Sequence, residues 1–129
     1  MVRMAREQDE IKLRVPATAA NARIARIAGV GLATRLGFSP SESEEVRLAI
    51  GEAWAILLGS RDHDGNVELT FCTDDEGMVI EIVADLPRTR RTAPDRTAVA
   101  ERLLARVVDD LDVSPDRKAV RLHKRHHAA

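Results

Sequence analysis

The stretch that decides the fold spans residues 38–58 and reads FSPSESEEVRLAIGEAWAILL. Ser39 is a good N-cap, Pro40 suits the first helical position, and Glu42 follows three residues after the cap, as in a capping box. Apolar residues then recur at spacings of three and four, which predicts an amphipathic helix over 39–58. Its predicted apolar stripe comprises Val46, Ala49, Ile50, Ala53, Ile56 and Leu57.

Glu52 is the exception on this helix, because its spacing from Ala49 and Ile56 places it beside the apolar stripe and not opposite it. A carboxylate in that position has two explanations. Either it lies at the edge of the stripe, reaching water and paired with a neighbouring arginine, or it serves a functional site. Trp54 flanks the same stripe. It is a candidate for core packing or for a contact with a partner protein, since Trp and Arg dominate binding hot spots.

The composition narrows the class of protein. The chain has 129 residues, 44% of them hydrophobic and 32% charged, which predicts one globular domain. A net charge of −1 argues against general nucleic-acid binding. Cys72 is the only cysteine, so neither an intramolecular disulfide nor a cysteine-based metal site is expected. Without a signal peptide or an apolar run of about 20 residues, a cytoplasmic location is predicted.

Periodicity along the chain predicts eight elements in the order β-α-α-β-β-α-β-β. Strands are predicted at 11–15, 67–73, 78–84, 111–113 and 118–123, and helices at 18–36, 39–58 and 97–110. Thr18 is the predicted cap of the first helix, whose predicted apolar face includes Ile24 and Ile27. The fold class is therefore α+β, a two-layer sandwich with helices on one face of a mixed, mostly antiparallel sheet. Residues 11–123 are predicted to form the domain, between a flexible N-terminus (1–10) and a tail (124–129).

The element order and the motif Leu48-Ala49-Ile50-Gly51-Glu52-Ala53 resemble the RsbW-type anti-sigma factors of bacteria. These are small switch proteins with a histidine-kinase-like ATPase fold. RVPATAANARIARI (14–27) is similar to the end of the family's first strand and its first helix, and VELTFCTDDEGMVIEIVAD (67–85) to its central hairpin. The resemblance covers roughly residues 13–122, and the motif around Glu52 is its most specific part.

The resemblance implies a regulatory function. Such a protein binds an RNA polymerase sigma factor, and a STAS-domain anti-anti-sigma protein competes for it and releases the sigma factor. Members that are kinases use Mg²⁺ and ATP to phosphorylate a serine of that antagonist. The family also implies a homodimer.

The residues that would handle ATP are mostly absent when the family motifs are carried over. Glu52 matches the general base, but Ile56 stands where an asparagine would bind Mg²⁺. Asp85 matches the aspartate that reads adenine, but Pro87 and Thr89 replace the glycines after it. All seven glycines lie at or before position 77, so a glycine-rich phosphate lid is missing. We therefore expect a retained fold with a degenerate ATP site, no cofactor, and vestigial roles for Glu52 and Asp85.

The predicted partner surface lies on the first two helices, and the resemblance assigns Arg23 and Arg26 to the sigma-binding face. Asn21 lies on the same side of the first helix and Trp54 is on the second. The alternative is that the arginines form an ordinary solvated helix face.

Two other functions are compatible with the sequence. One is an active serine kinase of the same family, which requires ATP and Mg²⁺. The other is a nucleotide-sensing module, because the arginine-rich loop includes Arg88, Arg90 and Arg91, followed by Arg96, and guanidinium groups suit phosphates. A mobile basic loop facing an acidic partner is the simpler explanation of that cluster. The histidines near the C-terminus lack accompanying carboxylates at ligand spacing, so no metal site is predicted.

Overall fold

The computed structural model describes residues 9–87 and 95–126. The strands are β1 (Asp9–Pro16), β2 (Asn66–Asp74), β3 (Gly77–Asp85), β4 (Asp110–Val113) and β5 (Ala119–Arg125). The helices are α1 (Ala22–Arg35), α2 (Pro40–Leu58) and α3 (Asp95–Val107), with a short 3₁₀ turn at Ala19–Asn21 before α1. The strand order is β1-β2-β3-β5-β4, and every neighbouring pair is antiparallel. The predicted α+β two-layer sandwich is confirmed.

The core lies between the helices and one face of the sheet. Paired strand residues such as Leu69 with Ile82, and Phe71 with Ile80, are fully buried on that face. The other face is largely solvated. On β3, Glu81 and Val83 are exposed there, although the sequence of this strand is almost entirely apolar. Alternation along an antiparallel strand buries every second residue, and nothing in the described part of the chain forms a second layer over the others.

Helix α2 begins as the sequence predicts. The Ser39 side chain accepts a hydrogen bond from the Glu42 N–H at 3.0 Å, and the Glu42 carboxylate accepts one from the Ser39 N–H at 2.9 Å. Two N–H groups that have no partner within the helix are thereby satisfied. The other end stops at Gly59, whose φ of 68° suits glycine.

We expect Ser39→Ala to lower the free energy of unfolding by about 1 kcal/mol, because the Glu42 N–H loses its acceptor. Urea denaturation of the two proteins measures the difference. Ser41→Ala is the matched control, since Ser41 is exposed in the same turn. Equal losses in the two variants would show that the capping box contributes nothing.

Helix α1 is rotated relative to the prediction. Its buried residues are Ala22, Ala25, Gly29 and Ala33, whereas Ile24 and Ile27 are 48% and 64% exposed. The cause is close packing on α2. A Cβ on Gly29 would lie 2.3 Å from Ile50 Cδ1, so α2 supplies the bulk at this contact and α1 must supply small side chains. The prediction that Ile24 and Ile27 face the core is wrong.

Tertiary contacts also change where the predicted helices and strands begin and end. Thr18 provides no side-chain cap, and Asp62 instead accepts a hydrogen bond from the Ala19 N–H at 2.8 Å. Asp9 and Glu10, assigned to a flexible terminus, belong to β1. Likewise β5 runs to Arg125, and Lys124, assigned to the tail, is buried. The predicted tail therefore includes two residues of the sheet.

Candidate functional site

Ile56 is 4% exposed and belongs to the core. Its side chain contributes about 2 kcal/mol by burial and has no oxygen or nitrogen for a metal. Glu52, one turn earlier, is half-buried. Its carboxylate makes no hydrogen bond or ion pair with any residue that the structure describes. The arginine partner considered for Glu52 is therefore not found among those residues.

The direction in which Glu52 faces follows from a neighbouring contact. Lys124 Nζ lies 2.5 Å from Glu45 Oε1 on α2 and 2.8 Å from the Val107 carbonyl oxygen on α3. The start of α2 thus meets the end of α3, and the two helices run antiparallel. Glu52 is two turns after Glu45, so it lies on the side of α2 that faces α3.

Asp85 lies on the other side of the sheet. It follows the buried Ala84, so its side chain points to the solvated face, where Arg14 Nη2 approaches Asp85 Oδ2 to 3.2 Å. Arg14 Nη1 also lies 3.4 Å from Glu68 Oε2. Because α2 covers the opposite face, the structure does not bring Asp85 and Glu52 together.

The arginine-rich loop cannot be placed in this site. Arg88, Arg90 and Arg91 lie outside the described residues. Arg96 lies in α3, and its backbone alone is described. Their predicted phosphate contacts remain a prediction.

The four predicted partner contacts differ in accessibility. Arg23 is exposed, and Arg26 is half-buried, with its Cδ 3.5 Å from where a Cβ on Gly51 would lie. Asn21 is half-buried and its Nδ2 donates to the Pro16 carbonyl oxygen at 2.9 Å, so it fastens the link between β1 and α1. Trp54 is 3% exposed and packs in the core. Arg23 is therefore the one fully exposed residue of the four, and Arg26 is partly accessible beside it.

The sequence reasoning missed the apolar part of this surface. Seven large apolar side chains are exposed among the described residues, and five of them lie on the helices: Ile24, Ile27, Leu48, Val99 and Leu103. Ile24 and Ile27 lie on α1 beside the two arginines, and apolar side chains exposed in this way are typical of a protein-binding site. The spacing of small residues along α1 could have revealed it, because alanine and glycine at 22, 25, 29 and 33 mark the face that packs closely.

Cys72 is half-buried on the solvated face of the sheet, with its Sγ 3.8 Å from Glu10 Oε2. Burial and the neighbouring Glu10 carboxylate both disfavour the thiolate and raise the pKa of the Cys72 thiol. The thiol is therefore a poor nucleophile at neutral pH.

We expect the folded protein to react with iodoacetamide at pH 8 more slowly than free cysteine does, because less thiolate is present. The rate should reach that of free cysteine in denaturant, and Glu10→Gln should raise it in the folded state. Mass spectrometry of timed samples measures all three. A folded-state rate equal to or above that of free cysteine would contradict this account of Cys72.

The chain matches no protein-family model and no curated protein. Among the residues that the structure describes, no group of three or more His, Cys, Asp and Glu side chains could hold a metal ion. No helix in the same residues has the length and apolar character needed to span a membrane.

Proposed function

We propose that the protein is an RsbW-type anti-sigma factor that binds an alternative sigma factor and keeps it from RNA polymerase. A STAS-domain anti-anti-sigma protein releases the sigma factor by competing for the same surface. ATP-dependent phosphorylation has no part in this switch. The protein acts in the cytoplasm as a homodimer.

The observation that favours this proposal over an active kinase is the burial of Ile56, a residue of α2, in the core. An asparagine there would hold Mg²⁺ beside the general base, whereas a buried isoleucine favours packing over metal binding. Two further observations support a lost ATP site. Asp85 is turned to the solvated face and paired with Arg14, and no glycine follows position 77.

The exposed isoleucines of α1 support a protein partner. Ile24 and Ile27 stand beside Arg23, which is exposed on the same helix. Apolar side chains flanked by arginine are typical of binding hot spots. A groove of about 340 Å³ continues this surface between α1 and α2, lined by Val30, Thr34, Phe38, Pro40, Ser43 and Arg47, with Glu44.

Co-purification with each sigma factor of the host tests the proposal. We expect one sigma factor to be captured, and we expect Ile27→Glu to weaken that complex at least tenfold, because it places a charge in the apolar contact. Val83→Glu is the matched control, since Val83 is an exposed apolar residue on the far face of the sheet. Failure to capture any sigma factor would refute the proposal, and equal weakening by both variants would refute the assigned surface.

One observation favours a second candidate, an active serine kinase of the same family. Glu52 keeps the general-base position and has no partner among the described residues. Calorimetry with Mg-ATP separates the two functions. We expect no binding heat, whereas micromolar binding that is lost in Glu52→Ala, with phosphate transfer to a STAS protein, would establish the kinase.

A further inference from the structure

Helix α3 has a second apolar face that the core does not use. Ala100 and Leu104 point into the core and are 3% and 0% exposed. Val99 and Leu103, one turn apart on another side of the helix, are 55% and 40% exposed. Leucine and valine exposed together in this way suit contact with another molecule.

Two arginines lie within the same stripe. Arg102 and Arg106 are exposed, and with Val99 and Leu103 they occupy positions i, i+3, i+4 and i+7, which share one face of a helix. Neither guanidinium is in an ion pair with the residues that the structure describes. Glu101, the acidic residue next to Arg102, is turned away and pairs with Arg117 of the β4–β5 turn. Glu101 is the one carboxylate between residues 99 and 106 and it is paired elsewhere, so the stripe itself is apolar and basic.

This stripe lies on the side of the helix layer where α2 and α3 meet. The antiparallel packing fixed by Lys124 brings Leu103 to the level of Leu48 and Ala49, two to three turns before the end of α2. Leu48 is itself 40% exposed. Because α1 lies on the other side of α2, this surface is separate from the Ile24 and Ile27 surface of α1.

We propose that Val99, Arg102, Leu103 and Arg106 form a docking site for an acidic amphipathic helix of a second protein. Apolar side chains of that helix would cover Val99, Leu103 and Leu48, as in other helix-in-groove contacts. Carboxylates flanking its apolar stripe would pair with the two guanidinium groups, which carboxylates can engage through two parallel hydrogen bonds.

Charge distinguishes this occupant from the alternatives. A second copy of the chain docked through the same stripe would oppose arginine to arginine. An acidic lipid surface would meet two arginines on a chain of net charge −1, whereas stable membrane attachment draws on clusters of four or more basic residues. The inference does not depend on the proposed anti-sigma function, because it concerns another surface and another partner chemistry.

A display library of amphipathic 16-residue helices tests the site. Leucine is kept on one face, and the flanking positions vary among Glu, Lys and Ser. We expect the full chain to enrich glutamate at the flanks at least tenfold over lysine. The Arg102→Glu/Arg106→Glu variant should reverse the preference and select lysine. The control Arg61→Glu/Lys118→Glu changes the net charge equally in exposed loops and should still select glutamate.

Two further measurements complete the test. Amide chemical shifts of the native chain, titrated with the most enriched peptide, should change most at residues 99–106. Thermal melting should show that both double variants remain folded. No enrichment, selection of lysine by the native chain, or shifts confined to α1 would overturn the proposal. So would binding to vesicles containing phosphatidylserine in the absence of peptide binding, or concentration-dependent dimerisation lost in Arg102→Glu/Arg106→Glu.

Discussion

Gly77→Ala is expected to lower the free energy of unfolding by about 3 kcal/mol or more, the largest effect of any substitution proposed for this chain. Gly77 has φ 151° and begins β3, beside β5. A Cβ there would lie 2.2 Å from the Lys124 carbonyl oxygen and 2.8 Å from Arg125 Cα. Both are backbone atoms of the neighbouring strand, so relief requires β3 and β5 to separate.

Gly31→Ala is the matched control. Gly31 lies in α1, where nothing stands within 4 Å of an added Cβ. Alanine is the better helix former, so this variant should gain up to about 1 kcal/mol. Urea denaturation monitored by circular dichroism compares both variants with the native chain. A Gly77→Ala protein as stable as the native one would show that the strands tolerate the side chain and that the register here is wrong.

Glu45→Ala is expected to destabilise the protein by about 2–3 kcal/mol, and by more than Lys124→Met does. The Lys124 side chain is 8% exposed, and its ammonium group lies between Glu45 and the Val107 carbonyl. Removing Glu45 leaves a positive charge buried against one carbonyl oxygen. Removing the lysine leaves Glu45, which is 40% exposed and can be hydrated.

The test is which of the two substitutions, Glu45→Ala or Lys124→Met, lowers the free energy of unfolding more. Both variants are compared by urea denaturation at neutral pH, with Glu44→Ala as the control, because Glu44 forms an exposed pair with Arg47 on the same helix. The control should unfold with the native midpoint. A larger loss for Lys124→Met than for Glu45→Ala would contradict this account, because methionine keeps the aliphatic part of the side chain and removes only the charged group.

Local chemistry explains which parts of the fold were predictable. The start of α2 depends on residues within one turn of Ser39, so the sequence contains all the groups involved. The alternation in β2 and β3 likewise identifies their inward faces. Asp85 directly follows the buried Ala84, so the same alternation predicts that its side chain points to the other face of the sheet, away from the core.

The face of α1 could not be predicted in the same way. Two apolar stripes are available on this helix, and hydrophobicity favours the one with isoleucine. The choice is made by α2, whose Ile50 fills the space that a larger residue on α1 would need. Burying alanine and exposing isoleucine gives less hydrophobic stabilisation than the reverse arrangement. Such an arrangement is expected where the exposed face of the helix binds a partner.

The end of β5 was missed for a related reason. The sequence HKRHH has the composition of a solvated tail, yet Lys124 is buried because Glu45 lies 79 positions away in sequence and adjacent in space. His126 also stacks on Phe38, with ring centroids 5.1 Å apart. A pairing between distant segments leaves no signal in the local sequence. Polar residues that are buried by such a pairing therefore have the sequence pattern of surface residues.

We propose that the helix layer serves as a platform for a sigma factor and does not use ATP. The most direct test titrates the purified chain against each purified sigma factor of its host, with EDTA and without nucleotide. We predict a saturable complex with one sigma factor, of unchanged affinity when Mg-ATP is added. Binding to none of them, or binding that requires Mg-ATP, would contradict the claim.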